Sequence, residues 1–495
     1  MKNIPKNVEL ILDRLRVSGY SAYIVGGCVR DLFLKLQPKD FDVATCASPK
    51  QVKEVFAGVE GIKVIPTGEK YGTITLRVRA EVECSGSKSG TRADSGVDCK
   101  SDIGESERAE YQNIEVTTYR LDGEYLDGRR PNSVKFSENI NDDLARRDFT
   151  INALAYGDTL IDLFGGLDDI KNGVVKAVGN AKERFREDAL RILRALRFAS
   201  RFGFTIEKNT YSAMLALKHT LAKVAPERIQ TELREILPNL KAQNLEQAKP
   251  FLLEIFPVLK LCDIEQNNKY HNLSILDHNL KACIEVVPYF KPFENTSESD
   301  AKNFGFILRL AALLHDTGKV YTRTTNLTTG QDQYINHEKK SADMARQILK
   351  DLKFDNATIS LVCTLLYHHG RMHYLSKKSV KRFLSKVGEE IFLLLLQLQI
   401  ADNKAKVLKL SQNKLERIEK VKQILKQIKA DNEAFSLKDL AINGFDILDA
   451  NIAKGAAIGK ILDACLSYVI DNPSENNKVR LIKYAKKLRR GVDAK

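Results

Sequence analysis

In the first third of the chain short apolar runs alternate with polar residues, as at Ala22 to Val25, Thr73 to Val78 and Ile114 to Tyr119. Many of these residues are β-branched, and a two-residue period predicts strands, with helices between them. From Asn180 onward the pattern changes to helices almost without interruption. That switch marks an α/β head followed by an all-helical body. Between two head strands, Cys84 to Glu110 is rich in Ser, Gly and charge and nearly devoid of large apolar residues. Such a segment cannot offset the entropy of ordering, so a mobile insertion in a hairpin is expected there, with no catalytic role. A second polar stretch, Pro292 to Lys302, and a Lys-rich amphipathic helix at Leu410 to Lys429 suggest further seams. The boundaries that follow are a head at 1–179 with its insertion at 83–110, a helical neck at 180–265, a helical body at 266–408 and a helical tail at 409–495.

At 495 residues the chain is too long for one ordinary core, and three or four domains are expected. Lys and Arg number 78 against 64 Asp and Glu, a net charge of +14. This excess favours an anionic partner through counterion release and steering, with nucleic acid ahead of an anionic membrane surface. Met1-Lys-Asn-Ile-Pro-Lys lacks the apolar stretch of a signal peptide, and the longest greasy run, Ile391 to Leu396, is far too short to span a bilayer. The expectation is a soluble cytoplasmic protein with no membrane partner. The eight cysteines show no C-x-x-C spacing and suggest neither a disulfide framework nor a zinc site.

Candidate chemistry begins where the strand Tyr23-Ile-Val runs into Gly26-Gly27-Cys-Val-Arg30-Asp31 and an apolar helix. Gly27 has no side chain to block a phosphate, and a helix N-terminus offers unpaired N–H groups. Arg30 adds a charged donor for a triphosphate. A plain turn is the commoner meaning of Gly-Gly alone. Nine residues beyond Asp31 comes Asp40-Phe41-Asp42, read as a strand that puts both carboxylates on one face with Cα atoms about 7 Å apart. Paired carboxylates suit Mg²⁺ shared with substrate phosphates, and a two-metal arrangement would activate an RNA hydroxyl and neutralise pyrophosphate. Two solvated aspartates are the bland alternative, which the upstream glycines and arginine oppose.

The segment GGCVRDLFLKLQPKDFDVAT resembles the first motif of the class II, polymerase-beta-like nucleotidyltransferases, a family of bacterial tRNA nucleotidyltransferases and poly(A) polymerases. Arg146-Arg-Asp-Phe-Thr-Ile-Asn-Ala153 and Phe164-Gly-Gly-Leu-Asp-Asp-Ile170 resemble later motifs, and the first of these implies that Arg147 contacts nucleotide. In the neck, Phe185 to Phe198 shows helical spacing with Asp188, Arg191, Arg194 and Arg197 three apart on a slowly drifting stripe. Such a stripe is usually a solvated surface. An aspartate, however, accepts from the exocyclic amine of cytosine or adenine while an arginine donates to the adjacent ring acceptor. Uracil and guanine would leave the carboxylate unpaired, at about 1–3 kcal/mol. Resemblance to the family's E-D-x-x-R motif implies this selection of CTP and ATP for Asp188 and Arg191, with Arg194 and Arg197 as further nucleotide contacts. Glu115 to Pro131 resembles the version found in CCA-adding enzymes, including a mobile loop, so complete CCA addition to the tRNA 3′ end is expected, ahead of A-only, CC-only or poly(A) products.

In the body, Ile307 to Lys319 is an apolar helix ending in His315-Asp316, six of the eight histidines fall between His271 and His369, and Asp402 ends another apolar helix. This order resembles the HD superfamily of metal phosphohydrolases, with His278, His315, Asp316 and Asp402 in the ligand positions. The resemblance implies a divalent transition metal or Mg²⁺ there, and a second ion held by His337 with His368 or His369. A tRNA-binding body with satisfied histidines is the alternative. Two other functions compete with the transferase: an HD phosphohydrolase with a nucleotide-sensing head, and a non-catalytic RNA scaffold. The basic tail from Phe435 resembles the C-terminal region of HD-containing tRNA nucleotidyltransferases and suggests contact with tRNA phosphates. The whole is read as a polymerase-beta-like α/β head with a mixed sheet, an all-α neck, an HD-type helical body and a helical tail.

Overall fold

The computed structural model describes residues 4–79, 111–123, 133–267, 272–371 and 375–492. The insertion expected at 83–110, much of the loop before Pro131, and His271 lie outside the described residues. The chain forms two compact units, Met1–Val224 and Ala225–Lys495, so the seam expected at 179/180 falls inside the first.

The first unit is built on a seven-stranded sheet. Its strands are β1 (Ala22–Val25), β2 (Asp42–Thr45), β3 (Ile62–Ile65), β4 (Thr73–Arg79), β5 (Tyr111–Thr118), β6 (Leu154–Tyr156) and β7 (Leu160–Asp162), in the order β3-β4-β5-β2-β1-β6-β7. Only β2 and β5 pair in parallel; their neighbours are antiparallel, which makes the sheet mixed as expected. Ile24, Val43, Ile74, Leu76, Ile114 and Val116 are fully buried, so the alternation that predicts the strands also supplies the core.

Helix α1 (Gly27–Phe33) follows β1, and α2 (Ile140–Ala145) precedes the Arg146-Arg147 pair. The continuous helix expected from Phe185 to Phe198 is instead two, α3 (Ala181–Glu187) and α4 (Leu190–Phe202). Asp188 breaks it: its backbone is extended, and its Oδ1 accepts from Leu190 N–H at 3.0 Å. A short acceptor side chain that satisfies an orphan N–H at a helix start favours this break over continuation. Along α4 only Arg191, Arg194 and Arg197 interrupt the buried run from Leu190 to Ser200, and each of the three is half-buried. The stripe is therefore pressed against the head and not a solvated face.

The second unit is helical, with its core around α5 (Ile275–Glu285), α6 (Glu298–Leu314), α7 (His337–Asp351), α8 (Asn356–His368) and α9 (Glu389–Ala405). Gly305 in α6 permits a close approach of the segment after α5, since an added Cβ would stand 1.9 Å from the Pro288 carbonyl oxygen. One turn later, the buried Arg309 donates to the carbonyls of Leu237 at 2.7 Å, Leu240 at 2.6 Å and Val286 at 3.0 Å. The amphipathic helix expected at Leu410 to Lys429 is α10 (Leu408–Ala430), which packs on α9 and buries Ile418, Val421, Leu425 and Ile428. The tail has its own small core around Ile442, Ile447, Leu466, Val469 and Leu481. Among the described residues six cysteines are free thiols, and no helix is long and apolar enough to cross a membrane.

Arg309 stitches three chain segments through the carbonyls of the buried Leu237, Leu240 and Val286. Arg309→Leu is expected to destabilise the second unit by about 2–4 kcal/mol, read as a lowered urea midpoint with an unchanged slope.

Candidate active site

The turn after β1 is set by Gly26, not by Gly27 alone. Gly26 has φ 79° and ψ −127°, which L side chains rarely adopt, and an added Cβ would lie 2.5 Å from Arg147 Nη1. At Gly27 the same construction meets nothing closer than Arg30 Nη2 at 3.5 Å, so that position is less demanding. Strand register then places the acids. Val25 is opposite Asp42, and Asp42 is opposite Glu115 on the parallel strand β5, which sets the glycine turn and both carboxylates at one end of the sheet. Asp40 lies just before β2, not in it; Asp40 and Asp42 are exposed, while Phe41 between them is buried. The alternation expected of Asp-Phe-Asp is thus present although the strand starts at Asp42.

Loss of solvent on the sheet side raises the Asp42 pKa, the charge of Glu115 raises it further, Arg147 opposes and Asp40 adds to the rise. Three carboxylates therefore feel one another. Among the described residues no three His, Cys, Asp or Glu ligand atoms in the head lie within 4.8 Å of one another. Asp40, Asp42 and Glu115 lie at the same end of the sheet, and their oxygen chemistry fits a hard divalent cation. Glu115 was not singled out in the sequence, because only the parallel β2–β5 register brings it beside Asp42.

An arginine lattice surrounds these acids. Arg147 donates from Nη2 to Asp143 Oδ2 at 3.0 Å and from Nη1 to the Asn152 carbonyl at 3.4 Å, close against Gly26. Arg146 grips the other oxygen of Asp143 through Nε at 3.0 Å. Burial of Asp143 acts to raise its pKa, and the two guanidiniums overcome it and hold it below the usual value. Arg194 donates to Asp148 Oδ2 from Nε at 2.8 Å and Nη2 at 2.7 Å, while Asn152 Nδ2 and Phe149 N–H serve Oδ1 at 3.0 and 2.8 Å. Against the burial that would raise it, this set holds Asp148 down to about 2.

Arg30 is placed differently from its sequence reading. Its guanidinium is buried, donates to Asp31 Oδ1 and Asn152 Oδ1 at 2.8 and 2.5 Å, and lies over Phe198 and Phe202 at 5.0 and 4.8 Å. It braces the turn from within, with its donors directed to protein and not to a solvent-facing phosphate. Arg191 donates to Glu187 Oε2 at 2.5 Å and to the carbonyls of Arg184 and Arg146 at 3.0 and 3.3 Å. Asp188 stands at the α3–α4 junction, and Arg197 lies over Phe198 at 4.8 Å. The structure thus gathers Asp188, Arg191 and Arg194 along the seam between α3, α4 and the 146–148 segment.

In the second unit the histidines converge from separate helices. His278 Nε2 is 3.2 Å from His315 Nε2 and 3.1 Å from Asp402 Oδ1, and both rings face Asp316 Oδ2 at 3.5 and 3.3 Å. The other Asp316 oxygen faces His337 Nε2 at 3.4 Å and His369 Nε2 at 3.6 Å. His369, and not His368, takes the second place; His368 packs its ring on Tyr367 and Phe383. His315, His337 and His369 each direct Nδ1 at a carbonyl three residues earlier, at 2.7 Å in all three cases. That bond leaves Nε2 as the ligand atom of the neutral ring, the usual second contact of a metal-binding histidine. Burial pushes His278 down to about 4, whereas at His315 Asp316 and Asp402 outweigh burial and lift it to about 9.

Comparison with known proteins adds a second line of observation. Residues 22–102 and 98–176 match the poly(A) polymerase head domain, 203–248 a probable RNA- and SrmB-binding site of polymerase A, and 335–485 a putative tRNA nucleotidyltransferase domain 2. A CCA-adding enzyme of Oceanobacillus iheyensis is 41% identical over 247 residues, 50% of this chain and 52% of that protein. The match spans about half the length of that curated relative. A CCA-adding enzyme of Staphylococcus haemolyticus is 29% identical over 484 residues, 96% of each chain. The crystal structure of the Bacillus stearothermophilus CCA-adding enzyme in complex with CTP is similar with a TM-score of 0.60 and 24% identity, over 100% of each chain. The Thermotoga maritima CCA-adding enzyme complexed with tRNA gives 0.58 and 20% identity, covering 98% of this chain and 97% of that one. These last two likenesses speak to fold.

Asp148 supplies a pH prediction. Its carboxyl is lowered to about 2 from 3.8, so its contribution is present above the unfolded value and is lost as pH falls from about 4 through 2. Asp148→Asn is expected to cost on the order of 2 kcal/mol at pH 7 and less below pH 3, read from urea unfolding across that range.

Proposed function

The chain belongs to the tRNA nucleotidyltransferase and poly(A) polymerase family, and on that premise we propose that its head completes CCA at the 3′ end of tRNA from CTP and ATP. The observation that carries the reading is the placement of Asp40, Asp42 and Glu115 beside the Gly26-Gly27 turn with Arg147 against it. The relatives reported above are CCA-adding enzymes, which favours this product over a single A, CC or a poly(A) tail. Asp40 and Asp42, aided by Glu115, would hold Mg²⁺. When bound, the ion neutralises triphosphate charge and makes the attacking 3′ hydroxyl more acidic. Arg147 meets the phosphates where Gly26 leaves room for close approach. Asp188 and Arg191 read the base edge, and Arg194 holds α4 in register with the head through Asp148, with Arg197 next along the stripe.

The experiment uses tRNA ending before CCA, incubated with CTP and ATP and then sequenced. Wild type is expected to extend it by C, C and A and stop, and Asp40→Ala or Asp42→Ala to slow addition by about a thousandfold or more. Extension by C or A alone, or undiminished addition in the variants, overturns the assignment.

The body cluster favours a second activity alongside the first. His278, His315 and Asp316 form one group whose ligand atoms lie within 4.8 Å of one another, and Asp316, His337 and His369 form another. Mixed imidazole and carboxylate donors with locked Nδ1 atoms fit one or two divalent cations, with Asp402 beside the first and Asp316 shared. A cation there supplies Lewis acidity toward a phosphoester. Manganese-dependent hydrolysis of p-nitrophenyl phosphate is expected to persist in Asp42→Ala and to fall by about a thousandfold in His315→Ala. Equal loss in both variants would show that the body has no separate activity.

A further inference from the structure

Asn152 closes the single helical turn Thr150–Asn152 and is buried between the glycine turn and the 146–148 segment. Its polar groups meet three different partners. Oδ1 accepts from Arg30 Nη1 at 2.5 Å, Nδ2 donates to Asp148 Oδ1 at 3.0 Å, and the main-chain carbonyl accepts from Arg147 Nη1 at 3.4 Å. Chemistry fixes the direction of the amide, since a guanidinium only donates and Asp148, held down to about 2, only accepts. Both side-chain bonds lead on to α4. Arg30, in the helix that follows the glycine turn, lies over Phe198 and Phe202, and Asp148 holds Arg194 through Oδ2 at 2.8 and 2.7 Å. A single amide therefore joins the two routes by which α4 is fixed to the head.

We propose that Asn152 is a positioning residue for nucleotide selection, its amide holding the turn that receives the triphosphate in register with the face of α4 that reads the base. The inference rests on the assignment of base reading to Asp188 and Arg191, and adds the residue that aligns that reading with the phosphates. The position demands a side chain that accepts from a cation and donates to an anion at once, which a carboxamide does. An aspartate of the same size keeps the bond to Arg30, loses the one to Asp148, and sets a like charge against it. With its side-chain oxygen and nitrogen both engaged inside the protein, Asn152 acts through Arg30, Arg147 and Arg194 and not by contact with substrate. A nucleotide gripped at its phosphates and read at its base is held productively only while the two grips keep their spacing. A shift of about 1 Å between them costs about a hundredfold in rate.

The test follows single-turnover addition of the first nucleotide to tRNA ending before CCA by the full-length chain, with CTP and with UTP. Asn152→Asp is expected to lower the maximal rate with CTP by about a hundredfold, while the CTP concentration at half-maximal rate moves by less than about threefold. The preference for CTP over UTP is expected to fall by about tenfold. That ratio does not depend on how much of the protein is folded, so a merely structural role leaves it unchanged. Adding Asp148→Asn to Asn152→Asp exchanges amide and carboxylate across the same hydrogen bond, and is expected to regain about tenfold of the lost rate. Should Asn152→Asp not fold, Asn152→Ser, too short to reach Arg30 and Asp148 together, carries the same expected losses. An unchanged ratio of CTP to UTP in the variant, or an exchange that recovers nothing, overturns the proposal. If wild type adds UTP as readily as CTP, the base-reading assignment of Asp188 and Arg191 falls on its own. The maximal rate then decides the alignment, since loss in Asn152→Asp with recovery in the exchange upholds it and no loss sinks it.

Discussion

Asp148 and Asp143 are buried carboxylates, and each survives burial only because guanidiniums on neighbouring elements enclose it. A buried charge without partners costs several kcal/mol, so these acids dictate where Arg146, Arg147 and Arg194 must stand. Arg147 is thereby fixed against Gly26, and Arg194 fixes α4 against the 146–148 segment. Asp31 repeats the device, holding Arg30 at 2.7 Å and Arg201 at 3.5 Å. The glycine turn, the strand ends that carry the acids, and the arginine stripe of α4 are in this way parts of one charge lattice. Its members cannot be exchanged one at a time, because removing an arginine leaves its acid behind.

That lattice explains which parts of the site could be read from the chain. Strands with a two-residue period and the glycine pair are local patterns and appear where expected, and the Asp40-x-Asp42 alternation persists although the strand starts at Asp42. Glu115 depends on a parallel pairing across more than seventy positions of sequence, which no local pattern encodes. Arg30 looked like a phosphate ligand because a cation beside a glycine turn ordinarily faces outward. It is buried because Asp31 next to it and Asn152 from a distant segment satisfy it, with two phenylalanines above. Asp188 shared the spacing of the arginine stripe, yet a carboxylate that can cap Leu190 N–H ends one helix and starts the next. In the body, His368 and His369 were equivalent in sequence, and only helix phase separates the ring that faces Asp316 from the one that packs on Phe383.

The two clusters are assembled by different physics. The head acids sit at strand ends, open to solvent on one side, and Asp42 has its pKa raised by loss of solvent on the other side first and by the charges of Glu115 and Asp40 after it. The body cluster is enclosed and built from helix ends: His315 follows α6, His369 follows α8, and His337 opens α7. At each, the Nδ1 contact to a carbonyl three residues back sets ring direction before any ligand arrives. Preset geometry of this kind suits a resident ion.

Enclosure has a consequence for where the body ends. Composition marks the lysine-rich α10 as a seam, since its exposed positions are charged and its apolar ones sparse. Packing makes it a wall: Ile418, Val421, Leu425 and Ile428 are buried along one face, and the same face delivers Lys414 and Arg417 to the cavity beside the His and Asp cluster. Long basic side chains can lay their stems along apolar neighbours while their charged heads reach a polar site, so one helix face both closes the core and charges the pocket. A helix whose sequence reads as a linker between body and tail thus belongs structurally to the cluster it covers.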